Sequence, residues 1–372
     1  MTYAFSKNGR LAELCCLCLG LCLVTAQPAL AEDSGEFYVN TYRSIGSVSP
    51  RSMRSTAMGR AGRGLADGVN SLGVNPAGLG AFTGSGFDVS LGYDWLDDGY
   101  DDTDQVIFKL GGAVSLEKWK PSGGPNQSIG GLLHTQNYSG AANMGMKREQ
   151  TGVLMGYGLH LMDDVLAGVS VALFDGEWRS DRRFDDAGNL DPVYLDRSFL
   201  GGDFKLGAIY RFSDETTLGG TLGYATGSFK EKAAYATGAG SGSLDRYSIG
   251  VGVAHQYADA TMILGDIWYD RMKTDVPGVL KENNKSWGLS VGVEQQVVCD
   301  VMALRGGLYY DRTSYSGGGD TVSFTGGGGY FKGRFGVTAG VGIKLYQFDL
   351  GYSLDVNSGG DVKNLLDLSA EW

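Results

Sequence analysis

The residues able to do acid-base, nucleophilic or metal chemistry are few and scattered. His134, His160 and His255 are the only histidines, and none lies in a serine-containing signature of the kind that general-base catalysis needs, so each reads as a rim or lumen residue. Ser115 to Lys118 spells SxxK, but it falls inside an alternating strand pattern, where chance explains it. Asp97, Asp98, Asp101, Asp102 and Asp104 crowd one connection. They could hold Ca²⁺ through oxygen ligands or simply form a solvated acidic loop. Gly326 to Gly329 has no strand-to-helix context and is no phosphate loop. The positive charges are more pointed. Between Phe37 and Ala66 stand Arg43, Arg51, Arg54, Arg60 and Arg63, with no acidic residue among them. Such charges need either carboxylate partners in the protein or an anionic ligand. No catalytic residue, metal site or cofactor is indicated, and the chain is not read as an enzyme.

The residues that must position these arginines begin after a leader. Lys7 and Arg10 precede an apolar run from Leu11 to Val24, and Ala29-Leu30-Ala31 precedes Glu32. This is the pattern of a secretory signal peptide, residues 1–31. Its removal leaves Cys299 as the one cysteine, so neither an internal disulfide nor a CxxC metal site is available. Two basic residues and one acidic residue leave with it, and 29 basic against 41 acidic residues give a formal charge of −12. That balance argues against nucleic-acid binding. After the leader no apolar run approaches the roughly 18 to 20 residues of a membrane helix.

Strands can nevertheless span a membrane at low hydropathy, because only alternate residues face lipid. Phe335, Val337, Ala339, Val341, Ile343 and Leu345 alternate with Gly336, Thr338, Gly340, Gly342 and Lys344. Trp287, Leu289, Val291 and Val293 alternate with Gly288, Ser290, Gly292 and Glu294, and Phe348, Leu350, Tyr352 and Leu354 with Asp349, Gly351, Ser353 and Asp355. The pattern predicts strands at 86–95, 105–118, 127–138, 147–161, 165–178, 199–212, 217–230, 244–257, 260–271, 286–298, 301–312, 334–345, 348–356 and 362–372, fourteen in all. Tight turns at Met162-Asp163-Asp164, Ser213 to Thr216, Ala258-Asp259, Cys299-Asp300 and Tyr346-Gln347 alternate with long connections at Arg179 to Ser198, Glu231 to Ser243, Met272 to Lys285 and Thr313 to Gly333. Short turns on one rim and long loops on the other are the build of a bacterial outer-membrane barrel, with the short rim in the periplasm. Trp119 to Asn126 is long for an inner turn and Asn357 to Asp361 short for an outer loop. Tyr93, Trp95, Trp119, Trp178, Tyr210, Phe212, Trp268, Tyr269, Tyr309 and Tyr310 lie near strand ends, where interfacial girdles belong. The expected fold is therefore an all-β, 14-stranded antiparallel transmembrane β-barrel over residues 86–372, a monomer in contact with outer-membrane lipid and lipopolysaccharide.

Fourteen strands enclose a lumen too wide to be filled by wall side chains alone. Residues 32–85 are available to plug it; they lack sustained alternation and contain small-residue clusters such as Ala57-Met58-Gly59-Arg60-Ala61-Gly62. The run ends in Asn75-Pro76-Ala77-Gly78-Leu79, where Pro76 disfavours helix at Asn75 and Asn75 can bond nearby backbone groups. This order of parts resembles the FadL/TodX family of outer-membrane channels for hydrophobic compounds. The resemblance implies that 32–85 is a hatch inside the barrel and that Asn75, Pro76, Ala77 and Gly78 form its gate. It also implies passive uptake of a hydrophobic, long-chain-fatty-acid-like ligand without cofactor, and a kink at Gly130-Gly131 in the third strand that opens a lateral exit. The terminal Trp372 resembles the signal read by the barrel assembly machinery. Two readings of the arginines stay open: pairing with inner-face acids such as Asp203, Glu294, Asp349 and Asp355, or, for Arg60 and Arg63, binding a ligand carboxylate. A barrel of the PorV-like branch that docks secreted proteins, and a general solute porin, are the alternative functions.

Overall fold

The computed structural model describes residues 52–65, 68–97, 102–117, 125–139, 147–180, 183–184, 190–191, 195–233, 240–276, 280–298, 301–318, 330–358 and 360–372. The leader, residues 32–51 with Arg43 and Arg51, the loop residues 98–101, Trp119, Cys299 and Gly326 to Gly329 lie outside them.

Fourteen strands close a barrel: β1 (Ser85–Asp97), β2 (Asp102–Ser115), β3 (Gln127–Ser139), β4 (Lys147–Met162), β5 (Val165–Ser180), β8 (Leu195–Arg211), β9 (Thr216–Ala233), β10 (Gly240–Ala258), β11 (Thr261–Val276), β12 (Leu280–Val298), β13 (Met302–Gly318), β14 (Tyr330–Leu345), β15 (Phe348–Asn357) and β16 (Val362–Glu371). Each pairs antiparallel with its neighbour in sequence, and β1 closes on β16 from Gly86↔Glu371 to Trp95↔Val362. A small ribbon of β6 (Arg183–Phe184) and β7 (Leu190–Asp191) sits in the long connection between β5 and β8.

Alternation decides which face is which. On β12, Leu289 and Val291 are 45% and 55% exposed, whereas Ser290 and Glu294 are 5% and 4% exposed. The apolar set therefore faces outward, and the small and polar set lines the lumen. Leu91, Val171, Leu173, Leu222, Ile249, Val251 and Leu308 extend the apolar exterior around the wall. A belt of this extent belongs against lipid rather than water, so the barrel is a transmembrane one. Among the described residues no helix is long and apolar enough to cross a membrane.

The strand ends at the short-turn rim match the sequence expectation closely. At the long-loop rim the strands run further: β12 begins at Leu280 instead of 286 and β13 ends at Gly318 instead of 312. Lys281 to Asn284 pair in register with Gly318 to Tyr315, so polar strands continue pairing above the apolar belt, where hydropathy no longer alternates. The short outer turn is real: the Asn357 amide donates to the Asp361 carbonyl at 3.1 Å, and Gly360 takes a left-handed φ of 86°. The girdle needs correction at two positions. Trp268 and Tyr309 face the lumen, because each precedes an outward aromatic, Tyr269 or Tyr310, and neighbours along a strand point to opposite faces. Tyr93, Tyr210, Phe212 and Tyr269 do lie exposed on the exterior.

Candidate functional site

Residues 52–65 and 68–82 lie inside the barrel as short helical pieces and tight bends. The first helix, α1 (Met53–Ala57), is capped by the Ser52 hydroxyl, which accepts from the Ser55 amide at 3.0 Å. A 3-10 turn (Gly68–Asn70), helix α2 (Ser71–Val74) and a second 3-10 helix (Pro76–Ala81) follow. Pro76 opens that last helix, where its missing N–H costs nothing. Gly59 and Arg60 take consecutive left-handed φ values of 67° and 68°.

The segment circles the inner wall close to the short-turn rim, and wall glycines clear its way. A Cβ on Gly340 would meet Ala57 Cβ at 2.5 Å, one on Gly307 would meet Gly59 Cα at 2.6 Å, and one on Gly168 would meet the Ala77 amide nitrogen at 2.5 Å. The approach is mutual, since a Cβ on Gly80 would meet the Leu159 carbonyl oxygen at 2.7 Å. Backbone-to-wall contact of this kind requires residues without side chains.

Three arginines fasten the first half of the segment. Arg54 holds Glu294 through Nε at 2.9 Å and Nη2 at 2.7 Å, and Arg305 of β13 reaches the same carboxylate at 2.6 Å. Arg60 holds Asp355 at 2.8 and 2.7 Å and lies over the Tyr309 ring, 3.8 Å from its centroid. The Tyr309 hydroxyl donates to the other Asp355 oxygen at 2.8 Å, and Asp311 lies 4.0 Å from Arg60. Burial on its own would lower the Arg60 pKa, but Asp355 and Asp311 raise it above the ordinary arginine value, so the side chain stays cationic. The left-handed backbone of a non-glycine residue costs about 1–3 kcal/mol, and this cluster holds it in place. Arg63 pairs with Asp266 at 3.0 Å, and that carboxylate also accepts the Gly62 amide at 3.0 Å. Glu294 and Asp355 are thus partners as expected from sequence. Asp203 faces the lumen beside Lys205 instead, and Asp349 lies exposed at the short-turn rim. For Arg60 and Arg63, a ligand carboxylate would have to displace Asp355 or Asp266.

Asn75 is fully buried and ties three elements together. Its Nδ2 donates to the Arg63 carbonyl at 2.7 Å and to the Ala208 carbonyl of β8 at 3.1 Å, while its Oδ1 accepts the Ala77 amide at 3.2 Å. Pro76, Ala77 and Gly78 are buried beside it. Gly130 and Gly131 form no break in β3: Gly130↔Ala113 and Gly131↔Gly112 on one side, and Gly130↔Gly156 and Gly131↔Met155 on the other, keep an unshifted register. The expected kink is replaced by a close approach, since a Cβ on Gly130 would lie 3.0 Å from Leu72 Cδ1. Trp372 is exposed, exchanges backbone hydrogen bonds with Ser85 at 2.9 and 2.8 Å, and its ring lies 6.1 Å from that of Phe87.

Sequence reading missed two features. One is an ionic cluster at the closing seam: Lys109, 2% exposed, reaches Asp88 at 2.6 Å, Asp367 at 3.7 Å and Asn70 Oδ1 at 2.9 Å, and Ser90 bonds Asp367. The signal available was a charge at an inward position on each of three strands. The other is an apolar cluster that joins Val69, Leu72 and Leu79 of the segment to Leu132, Leu154, Phe174, Phe199, Phe229, Leu244 and Met272 of the wall. Its signature is broken alternation, as in Val171-Ala172-Leu173-Phe174, where both faces are apolar. Its rings lie over glycines of neighbouring strands, Phe199 on Gly176 and Phe174 on Gly201.

His134 is buried on the inner face, while His160 is half-buried and His255 exposed at the short-turn rim, beside the Asp163 carbonyl and Thr216 respectively. Among the described residues no group of histidine, cysteine or carboxylate side chains could hold a metal ion.

No family profile and no curated protein matches the sequence. Solved structures do. A Pseudomonas aeruginosa FadL homologue aligns over 88% of this chain and 99% of its own, with a TM-score of 0.60 at 12% identity. The Ralstonia pickettii toluene transporter TbuX aligns over 87% and 99%, with a TM-score of 0.60 at 13% identity. The Pseudomonas putida toluene transporter TodX gives 88% and 98%, with a TM-score of 0.53 at 12% identity. The chain has the FadL/TodX fold. Within that fold, the docked segment, its arginine fastenings and the apolar wall cluster are the features of this chain that bear on function.

Proposed function

We propose that this chain is a passive channel of the bacterial outer membrane for small hydrophobic molecules, with residues 52–82 as part of its plug and Asn75 to Gly78 as the gate. The observation that carries the reading is the apolar cluster linking Leu72 and Leu79 of the docked segment to Phe174, Phe199 and Phe229 of the wall. A packed apolar interior inside a transmembrane barrel suits a hydrophobic cargo and disfavours a general solute pore, whose lumen is polar. The lipid-facing belt and the alternation of loop lengths support the outer-membrane location.

The related folds include channels described as carrying toluene and monoaromatic hydrocarbons, which makes such compounds, besides fatty-acid-like ones, the cargo classes to test. Because Arg60 and Arg63 each have a carboxylate of the wall, no cation of that pair is reserved for a fatty-acid headgroup. Uptake of labelled toluene and labelled oleate is to be compared in a strain lacking this chain and the same strain regaining it. Faster uptake of either probe on restoration supports the channel. Equal uptake of both, with copurification of a secreted protein, would support the docking role instead.

A further inference from the structure

The outer face of the wall at β11 to β13 carries an ordered stack of side chains. Outward residues of β11 and β12 stand directly opposite each other. From mid-barrel toward the long-loop rim the pairs are Ile267↔Leu289, Tyr269↔Trp287, Arg271↔Lys285 and Lys273↔Asn283. The order is apolar, aromatic, cationic. Arg312 of β13 stands beside Trp287 and adds an exposed cation at the edge of the patch. Lys273 and Lys285 are exposed, and Arg271 is half-buried. The Arg271 Nε donates to Asn283 Oδ1 at 2.9 Å, and neither lysine has an ion pair among the described residues. Asp245, which stands beside Lys273, accepts the Tyr224 hydroxyl at 2.8 Å, and Asp275, one outward step higher, stands opposite Lys281.

We propose that this face binds a phosphorylated glycolipid of the outer leaflet, the lipopolysaccharide, with Arg271, Lys273 and Lys285 on its phosphates and the apolar wall below on its acyl chains. The inference rests on the outer-membrane location and is independent of the cargo. Like charges directly opposite in a ladder repel, and Arg271 against Lys285 is such a pair. A phosphate seated between them turns that repulsion into charge-assisted hydrogen bonds. The Arg271 guanidinium, already oriented by Asn283, offers its remaining donors in one fixed plane. The height is that of a lipid headgroup. Arg271 and Lys285 lie two residues beyond Tyr269 and Trp287, about 7 Å along the strand, and exposed aromatics of that kind mark the membrane interface. The opposite rim repels phosphate, since its exposed turn residues include Asp163, Asp164, Asp214, Glu215 and Asp259. The charges thus suit a membrane whose more densely phosphorylated leaflet is the outer one.

Arg271→Gln with Lys285→Gln tests the site. Lys147→Gln with Lys230→Gln, which removes two exposed cations near the same rim but outside the patch, is the control. The folded barrel in detergent is titrated with bisphosphorylated lipid A and with its dephosphorylated form, and its unfolding temperature is read with and without each lipid. Lipid A is expected to bind the parent and raise its unfolding temperature, and the dephosphorylated lipid to do neither. The 271/285 variant should bind lipid A about tenfold or more weakly, the effect of removing two cations at an anionic lipid surface, while the control keeps the parent's affinity. In detergent free of glycolipid the 271/285 variant should unfold no earlier than the parent, because an opposed like-charge pair has gone. Earlier unfolding there would make the pair structural and overturn the site. Equal binding of the two lipids would reduce the contact to acyl chains, and an equal loss in the control would reduce it to diffuse rim charge; either result overturns the proposal, as does unweakened binding by the 271/285 variant. Density-gradient fractionation of cells expressing the chain checks the location separately. A chain found away from the outer membrane overturns the location and the inference with it, whereas a chain in the outer membrane that binds no lipid A overturns the inference alone.

Discussion

At the scale of single residues, Asn75 shows how one side chain joins a loop to a wall. Its amide donates to two carbonyls, at Arg63 and Ala208, and its own oxygen caps the helix starting at Pro76. Asn75→Ala removes both of these hydrogen bonds and the cap on the Ala77 amide, at about 0.5–1.5 kcal/mol for each hydrogen bond lost. Asn75→Asp is worse, because it sets a carboxylate oxygen against both. Small-ion conductance of the barrel in planar bilayers is expected to rise in the order parent, alanine, aspartate. An unchanged conductance in both variants would remove Asn75 from the proposed gate. This residue stood out in the sequence because Asn75-Pro76-Ala77 resembles the FadL/TodX motif, and asparagine before proline also has a local meaning. Its partner Ala208 was not, since nothing local connects a backbone carbonyl to a side chain 133 positions away.

At the scale of elements, the glycines divide into those the docked segment needs and those it does not. On β5, Gly168 faces inward against Pro76 and Ala77, and on β9, Gly220 faces outward with nothing within 4 Å of an added Cβ. Gly168→Ala forces the wall or the second 3-10 helix to shift, an overpacking that costs about 1–3 kcal/mol. Gly220→Ala is expected to be silent. Conductance and thermal unfolding in detergent should both separate the two variants, and equal behaviour would contradict the close docking. Alternation predicted the faces of these strands, because side-chain direction has a period of two regardless of what lies opposite. It did not say which glycines touch the segment. That depends on height along the barrel, and a period carries no height. The same limit explains Trp268 and Tyr309: nearness to a strand end marks them for a girdle, but facing inward sets them on Gly288 and Gly336.

At the scale of the whole molecule, the barrel closes where Lys109 meets Asp88 of β1 and Asp367 of β16, and Asn70 of the docked segment shares the same ammonium. Seam and docked segment are therefore coupled. Lys109→Met would leave two buried carboxylates without their cation, and removing one member of a buried ion set costs about 3–5 kcal/mol. The temperature at which the folded barrel loses its compact migration in detergent gels is expected to fall. Adding Asp88→Asn should recover part of the loss by removing one of the stranded charges. A single variant as stable as the parent would show that the seam stands on its backbone ladder alone.

The sequence by itself determined the wall: its strand number, its lipid-facing side and its short-turn rim. These rest on period, turn chemistry and parity, each set by residues close together in the chain, whereas Asn75-Pro76-Ala77 stood out through its resemblance to a family motif. Only the tertiary structure decided the interior. Arg54 meets Glu294, Arg60 meets Asp355 and Arg63 meets Asp266 across separations of 240, 295 and 203 residues. Asp266 was not among the acids chosen from sequence, and Asp203 and Asp349 were. An acid becomes a partner only if its strand faces inward at the height where the segment passes, and closure of the barrel fixes both conditions at once.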